Sequence, residues 1–135
     1  MDGTRTKFGL RDSIGHHITR TARLVERRVE GALRHYNLTR VGWCILLAVE
    51  EEKLKNPSEI AHFIGIDRTA TSRALRQLEN EGLIAREMGR EDRRTTEVSL
   101  TDEGRIRMRE AMPHCVENVD HFNAKLTEAE ARELR

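Results

Sequence analysis

Apolar residues recur at helical spacing along most of the chain. Ile14, Ile18, Ala22, Val25, Val29, Leu33 and Tyr36 succeed one another in steps of four and three, which predicts one long amphipathic helix. Asn37-Leu38-Thr39 breaks it, and Thr39 can cap a second helix. This second helix, Arg40 to about Glu50, carries Val41, Trp43, Ile45, Leu46, Leu47 and Val49 on nearly all sides, so it belongs in the centre of the domain. Lys53 to Lys55 is a polar connector. Asn56-Pro57-Ser58-Glu59 then reads as a strong helix start, with Asn56 as cap, Pro57 at the first helical position and Glu59 reaching back as a capping-box partner. That third helix continues through Ile60, Ala61, Phe63 and Ile64.

Gly65-Ile66-Asp67 is a short glycine-containing turn, with Asp67 placed to cap a fourth helix. Helix, three-residue turn, helix is the helix-turn-helix pattern. The fourth helix has two distinct faces. Thr71, Ala74, Leu75 and Leu78 make a mostly apolar stripe, and Thr69, Ser72, Arg73 and Arg76 lie opposite at the same spacing. The second face holds small hydroxyls and arginines and no acid. Small residues permit close approach to a phosphate-lined groove, and arginines reach phosphates or base edges. Gly82 suits a left-handed helix end against which Leu83 packs back. Leu83–Arg86 and Thr95–Leu100 are short strand candidates joined by a polar hairpin, Glu87–Arg94. Thr101 caps a long helix with Asp102 and Glu103 in its first turn; Pro113 should kink it, and a last short helix begins near Thr127. Residues 1–11 read as loosely ordered, and there is no internal repeat.

Composition sharpens this picture. At 135 residues, 37% apolar and 35% charged, the chain is one domain with a thin core and strongly two-faced helices. A thin core with apolar ends favours completion by association. No apolar run is long enough to cross a membrane and Met1 to Leu10 lacks a signal-peptide core, so cytoplasm is the expected location. The net charge is only +1, so a nucleic-acid function must rest on local patches. One such patch spans residues 1–40, where Arg5, Lys7, Arg11, Arg20, Arg23, Arg27, Arg28, Arg34 and Arg40 outnumber Asp2, Asp12, Glu26 and Glu30.

The chain resembles the MarR family of winged-helix regulators from about Ile14 to Arg135. The residues that carry the likeness are SEIAHFIGIDRTATSRALRQLENEGLIARE and then EDRRTTEVSLTDEGR, with Asp92 through Arg94 to Gly104 the most diagnostic part. The resemblance implies a mainly α fold with a small β-hairpin wing: a winged helix-turn-helix with N- and C-terminal dimerisation helices. The corresponding boundaries are 1–38 for the first dimerisation helix, 39–100 for the DNA-binding lobe and 101–135 for the C-terminal dimerisation helices. It further implies a homodimeric transcriptional regulator, usually a repressor, on double-stranded DNA with a pseudo-palindromic operator, often released by a small aromatic effector. Carried onto this chain, Arg68, Thr69, Ser72, Arg73 and Arg76 lie on the recognition helix. Arg94 is the wing arginine on the minor groove, Asp92 holds it, and Arg90 and Arg93 touch phosphates. Two departures stand out. Ala70 replaces a common threonine and Thr71 a common apolar residue, which points to a thinner helix contact or an altered operator. The final helix is also short against the family pattern. That leaves open a shortened chain or a dimer that relies more on the first and fifth helices.

Other chemistries are weaker. His16-His17, and Glu110 with His114 one helical turn apart, are too scattered for zinc, which wants convergent ligands at short fixed spacings. No metal and no cofactor is therefore expected. Cys44 and Cys115 lack a CxxC partner and read as reduced, mostly buried thiols. Trp43, Met108 and Met112 are core candidates before they are pocket-lining ones. No phosphate-cradling glycine loop, nucleophile elbow or isolated carboxylate pair occurs, so an enzyme is not expected. The alternatives to an organic-effector regulator are a metal-responsive regulator and a winged-helix protein–protein interaction module.

Overall fold

Six α-helices and one two-stranded sheet make up the described residues, 9–135, of a computed structural model. Helix α1 spans Ile14–Leu33, with the Ser13 hydroxyl accepting the His16 N–H at its start. It ends earlier than its periodicity predicts. Arg34–Tyr36 tighten into a 3-10 turn and Asn37 turns left-handed at φ 52°, which suits an asparagine. The Leu38 N–H then bonds the Leu33 carbonyl, and both leucines enter the core. The expectation of loose order over 1–11 lies largely outside the described residues; Leu10–Asp12 form a short 3-10 turn.

Helix α2, Arg40–Glu50, starts where the Thr39 hydroxyl accepts the Gly42 N–H, and it buries Gly42, Ile45, Leu46, Ala48 and Val49 as a central helix should. A Cβ on Gly42 would sit 3.3 Å from Leu78, so the small residue lets the fourth helix lie close. Helix α3 is Pro57–Ile64. Here the expected capping box is absent among the described residues. Asn56 Oδ1 accepts the Ser58 N–H at 2.8 Å, one position earlier than a box requires, and Glu59 makes no return bond. The reciprocal box forms instead at Thr127 and Glu130, opening α6, Glu128–Glu133. Helix α4 is Arg68–Asn80.

Strands β1, Ile84–Met88, and β2, Thr96–Leu100, pair antiparallel with Ile84 opposite Leu100, Arg86 opposite Val98 and Met88 opposite Thr96. The sequence pattern places β1 one or two residues early, because Leu83 is spent on closing α4. The Leu83 N–H bonds the Leu78 carbonyl and the Gly82 N–H bonds that of Glu79, with Gly82 at φ 72°. Helix α5, Asp102–Asn123, continues through Pro113, whose ring lies at the exposed surface.

The base of the hairpin is bolted to α5. Thr101 Oγ1 donates to the Gly82 carbonyl at 2.6 Å and accepts the Gly104 N–H, while the Thr101 N–H bonds the Leu83 carbonyl. A Cβ at Gly104 would collide with the Leu83 carbonyl oxygen. The core runs from Leu33 through Ile45, Leu46, Ile60, Leu75 and Leu83 to Val98 and Met108. By contrast, α1 buries only Leu33 of its twenty residues. Gly104→Ala is therefore expected to cost about 1–3 kcal/mol through overpacking against rigid backbone. A calorimetric Tm equal to the parent's would contradict the close approach.

Candidate nucleic-acid interface

Helix α4 is fixed from its inner side. Leu75 and Leu78 are buried at 1% and 3% exposure, and Thr71 joins them because its hydroxyl donates to the Asp67 carbonyl at 2.8 Å. That local bond satisfies the polar atom and lets a threonine stand where an apolar residue is expected. The start is set by Asp67, whose Oδ1 accepts the Ala70 N–H at 2.7 Å. The turn before it uses Gly65 at φ 76°, with the Ile66 N–H reaching back to the Ala61 carbonyl.

With that side anchored, Arg68, Thr69, Ser72, Arg73 and Arg76 are all exposed. None of these three arginines pairs with an acid among the described residues. Unpaired guanidiniums on one helix face keep all their donors for an outside acceptor.

Arg90, Asp92, Arg93 and Arg94 are exposed in the hairpin connection, and its three arginines are likewise without an ion pair among the described residues. Asp92 meets Arg94 through the main chain. Its Oδ1 accepts the Arg94 backbone N–H at 2.9 Å, so it orders the main chain, and the guanidinium has no ion-pair partner among the described residues. The Asp92 carbonyl also accepts from the Thr95 hydroxyl and N–H, and the Gly89 N–H bonds the Thr95 carbonyl. A side chain at Gly89 would strike Thr95 Oγ1. The tip is thus a closed turn that presents three cations.

Sequence patterning singled out neither Glu79 nor Arg86, which connect the two cationic elements. Arg86 Nε donates to Glu79 Oε2 at 3.0 Å and the terminal nitrogen to Oε1 at 2.9 Å. Beside this pair a cleft of about 200 Å³ opens between α3, α4 and the hairpin, with Ser58, Arg68, Ser72, Arg86 and Thr96 on its walls. No residue spacing marks such a cross-element pair; only the placement of β1 against α4 reveals it.

The thiols lie elsewhere. Burial raises the Cys44 thiol pKa, against the lowering effect of Arg40, and burial with the neighbouring Cys44 pushes Cys115 up to about 11. Both shifts disfavour a thiolate at neutral pH, the opposite of what a reactive cysteine needs. Met108 is core, Met112 is half-buried, and Trp43 packs against the core with its Nε1 buried and unbonded among the described residues.

An exposed helix-turn-helix with a basic hairpin beside it defines a winged helix-turn-helix lobe. Residues 38–96 match the model of the MarR family. Over 59 residues the chain is 44% identical to the HTH-type transcriptional regulator PapX of Escherichia coli, a stretch covering 44% of this chain and 36% of PapX. The M. tuberculosis transcriptional regulator MosR in complex with DNA is 25% identical, covers 91% of each chain and superimposes with a TM-score of 0.79. CouR from Rhodococcus jostii RHA1, bound to p-coumaroyl-CoA, shares the fold at a TM-score of 0.82 and 23% identity over 94% of this chain and 90% of that one. Residues 38–96 are thus similar to the MarR family of transcriptional regulators, and the chain as a whole shares the fold of these solved regulators.

With its pKa near 11, Cys115 has on the order of one thiolate in ten thousand at pH 7. Iodoacetamide at that pH should label it far more slowly in the folded protein than in urea, as intact mass spectrometry would read. Equal rates in the two conditions would refute the burial shift.

Proposed function

We propose that the chain is a sequence-specific DNA-binding regulator, acting as a homodimeric repressor that a small effector releases. The observation that carries the reading is the pairing of two outward cationic elements on one lobe. These are the acid-free face of α4 and the arginine-bearing hairpin tip, all six arginines lacking acidic partners among the described residues. In this reading Arg68, Thr69, Ser72, Arg73 and Arg76 enter a major groove, with Arg94 on the adjacent minor groove and Arg90 and Arg93 on phosphates.

Dimerisation is supported by apolar surface that the described residues leave uncovered. Ile14, Ile18 and Leu24 of α1 and Val116 and Val119 of α5 are all exposed. A second copy covering α1 and α5 would place two α4 helices on half-sites about 10 bp apart, hence a pseudo-palindromic operator. For the effector, an apolar groove of about 620 Å³ is lined by Ile14, Ile18, Ala22, Val25 and Leu134, with Glu26 and Arg40, paired at 3.5 Å, on its wall. A mostly apolar groove suits a small aromatic ligand, and the CouR structure holds p-coumaroyl-CoA. An effector that prefers a different separation of the two lobes would deplete the DNA-competent state.

Selection from a random DNA library tests the whole reading: an enriched palindrome is expected, and its absence would favour a protein–protein module. On the enriched duplex, Arg73→Ala should cost roughly 1–3 kcal/mol and relax one position if Arg73 reads a base edge. An equal loss on every sequence would make Arg73 a phosphate contact. Arg94→Ala should weaken binding while the melting temperature holds; unchanged affinity would remove the hairpin from the interface. Affinity should fall with a log–log salt slope of about −0.9 per phosphate neutralised, and a flat response would argue against groove docking.

A further inference from the structure

Helix α4 contains one acid, Glu79, and it is spent on the hairpin. Arg86 stands on β1, opposite the buried Val98, on the same side of the ribbon as Ile84 and Met88. Its guanidinium meets the Glu79 carboxylate through two nearly equal bonds, 3.0 Å from Nε and 2.9 Å from the terminal nitrogen. A two-point contact of this kind fixes direction as well as distance, which one ammonium cannot do. The same bonding holds the Glu79 carboxyl below the usual carboxylate range, so the pair stays charged at neutral pH.

The position of this fork along the hairpin gives it leverage. The base is held by Thr101 on the Gly82 and Leu83 carbonyls, and the Val98 N–H bonds the Lys55 carbonyl at 2.8 Å. Beyond the rung of Arg86 and Val98, no hydrogen bond or ion pair among the described residues ties the ribbon to the rest of the lobe. The tip from Glu87 to Thr95, with its three arginines, projects past that last tie. A two-stranded ribbon alone is marginally stable and twists readily. Its angle to α4 is therefore set by the outermost tie, and Glu79–Arg86 is the one that reaches α4 itself.

We propose that Glu79 and Arg86 are positioning residues for DNA binding: the fork between them locks the hairpin to α4 so that Arg94 and Arg73 meet one duplex together. The proposal rests on the DNA reading above. Charge adds a second consequence. With Arg86 in place the only carboxylate of α4 is neutralised, whereas loss of the Arg86 cation leaves a bare negative charge on the helix that carries Arg73 and Arg76.

The test uses the full chain and two readouts: affinity for a duplex enriched from a random library, and amide hydrogen exchange of the DNA-free protein. Glu79→Gln, Arg86→Lys and the swap Glu79→Arg with Arg86→Glu are each made with and without Arg94→Ala. If Arg94→Ala costs about tenfold in the parent, it should cost less than about twofold beside Glu79→Gln, because an unlocked hairpin no longer delivers Arg94. Amides of residues 87–95 should exchange about tenfold faster in Glu79→Gln and Arg86→Lys, while those of residues 71–78 keep their rates. The swap should restore both affinity and slow exchange. Additive losses with unchanged hairpin exchange would overturn the proposal. So would a swap that restores slow exchange yet still binds DNA weakly, since Arg86 would then be touching phosphate itself. If Arg94→Ala proves harmless in the parent, it is the docking of the hairpin on DNA that fails. The exchange rates then decide the lock alone, and a slow-exchanging hairpin in Glu79→Gln would sink it.

Discussion

The rotation of α4 about its own axis is the constraint on which the rest of the molecule depends. Leu75 and Leu78 sit in the core beside the buried Thr71. Fully burying one such leucine contributes about 1.5–3 kcal/mol, so turning the helix by even one residue's step would forfeit several kcal/mol of packing. The core thus decides which residues face outward. Arg73 and Arg76 are displayed because the positions opposite them are greasy, not because anything in the chain attracts them to the surface. Mutual repulsion among the exposed cations is weak in water and further screened by salt. The leucines overcome it easily.

Around that helix the structure invests in its junctions. Gly65 at one end and Gly82 at the other both take positive φ, and each closes a helix by a pair of backward backbone bonds. The second junction does more, since the carbonyls of Gly82 and Leu83 both receive bonds from Thr101. The end of α4, the root of the hairpin and the start of α5 are thereby one hydrogen-bonded knot. Gly104 belongs to it because any side chain there would push α5 off the Leu83 carbonyl. A chain with a thin core compensates by concentrating its polar bonds where three elements meet.

The features legible in the sequence were mainly local. The caps at Thr39, Asn56, Asp67 and Thr101 all have hydroxyl, amide or carboxylate oxygens on nearby backbone N–H groups, and such bonds depend only on neighbours a few residues away. The two faces of α4 were readable for the same reason, because periodicity is a local property. The misjudged details needed tertiary information. Tyr36 continues the apolar spacing of α1, yet the chain turns at Asn37 so that Leu38 can join the core. The capping box assigned to Glu59 appears at Glu130, where the cap is a threonine whose hydroxyl reaches the third N–H. Glu79 and Arg86 look like ordinary solvated charges in the sequence; their bond joins a helix to a strand, and no period connects them.

The near-complete exposure of the first helix has one further effect. Twenty residues that bury a single leucine are held mainly by their own backbone ladder and by contacts with α5 and α2, the latter including the Glu26–Arg40 ion pair. A helix in that condition takes its persistence from whatever lies against its bare stripe, and the free energy of such cover scales with the logarithm of its concentration. With a second copy as that cover, as proposed above, dilution becomes a variable of the fold itself: the abundance of the molecule then helps set how much of this helix stays structured.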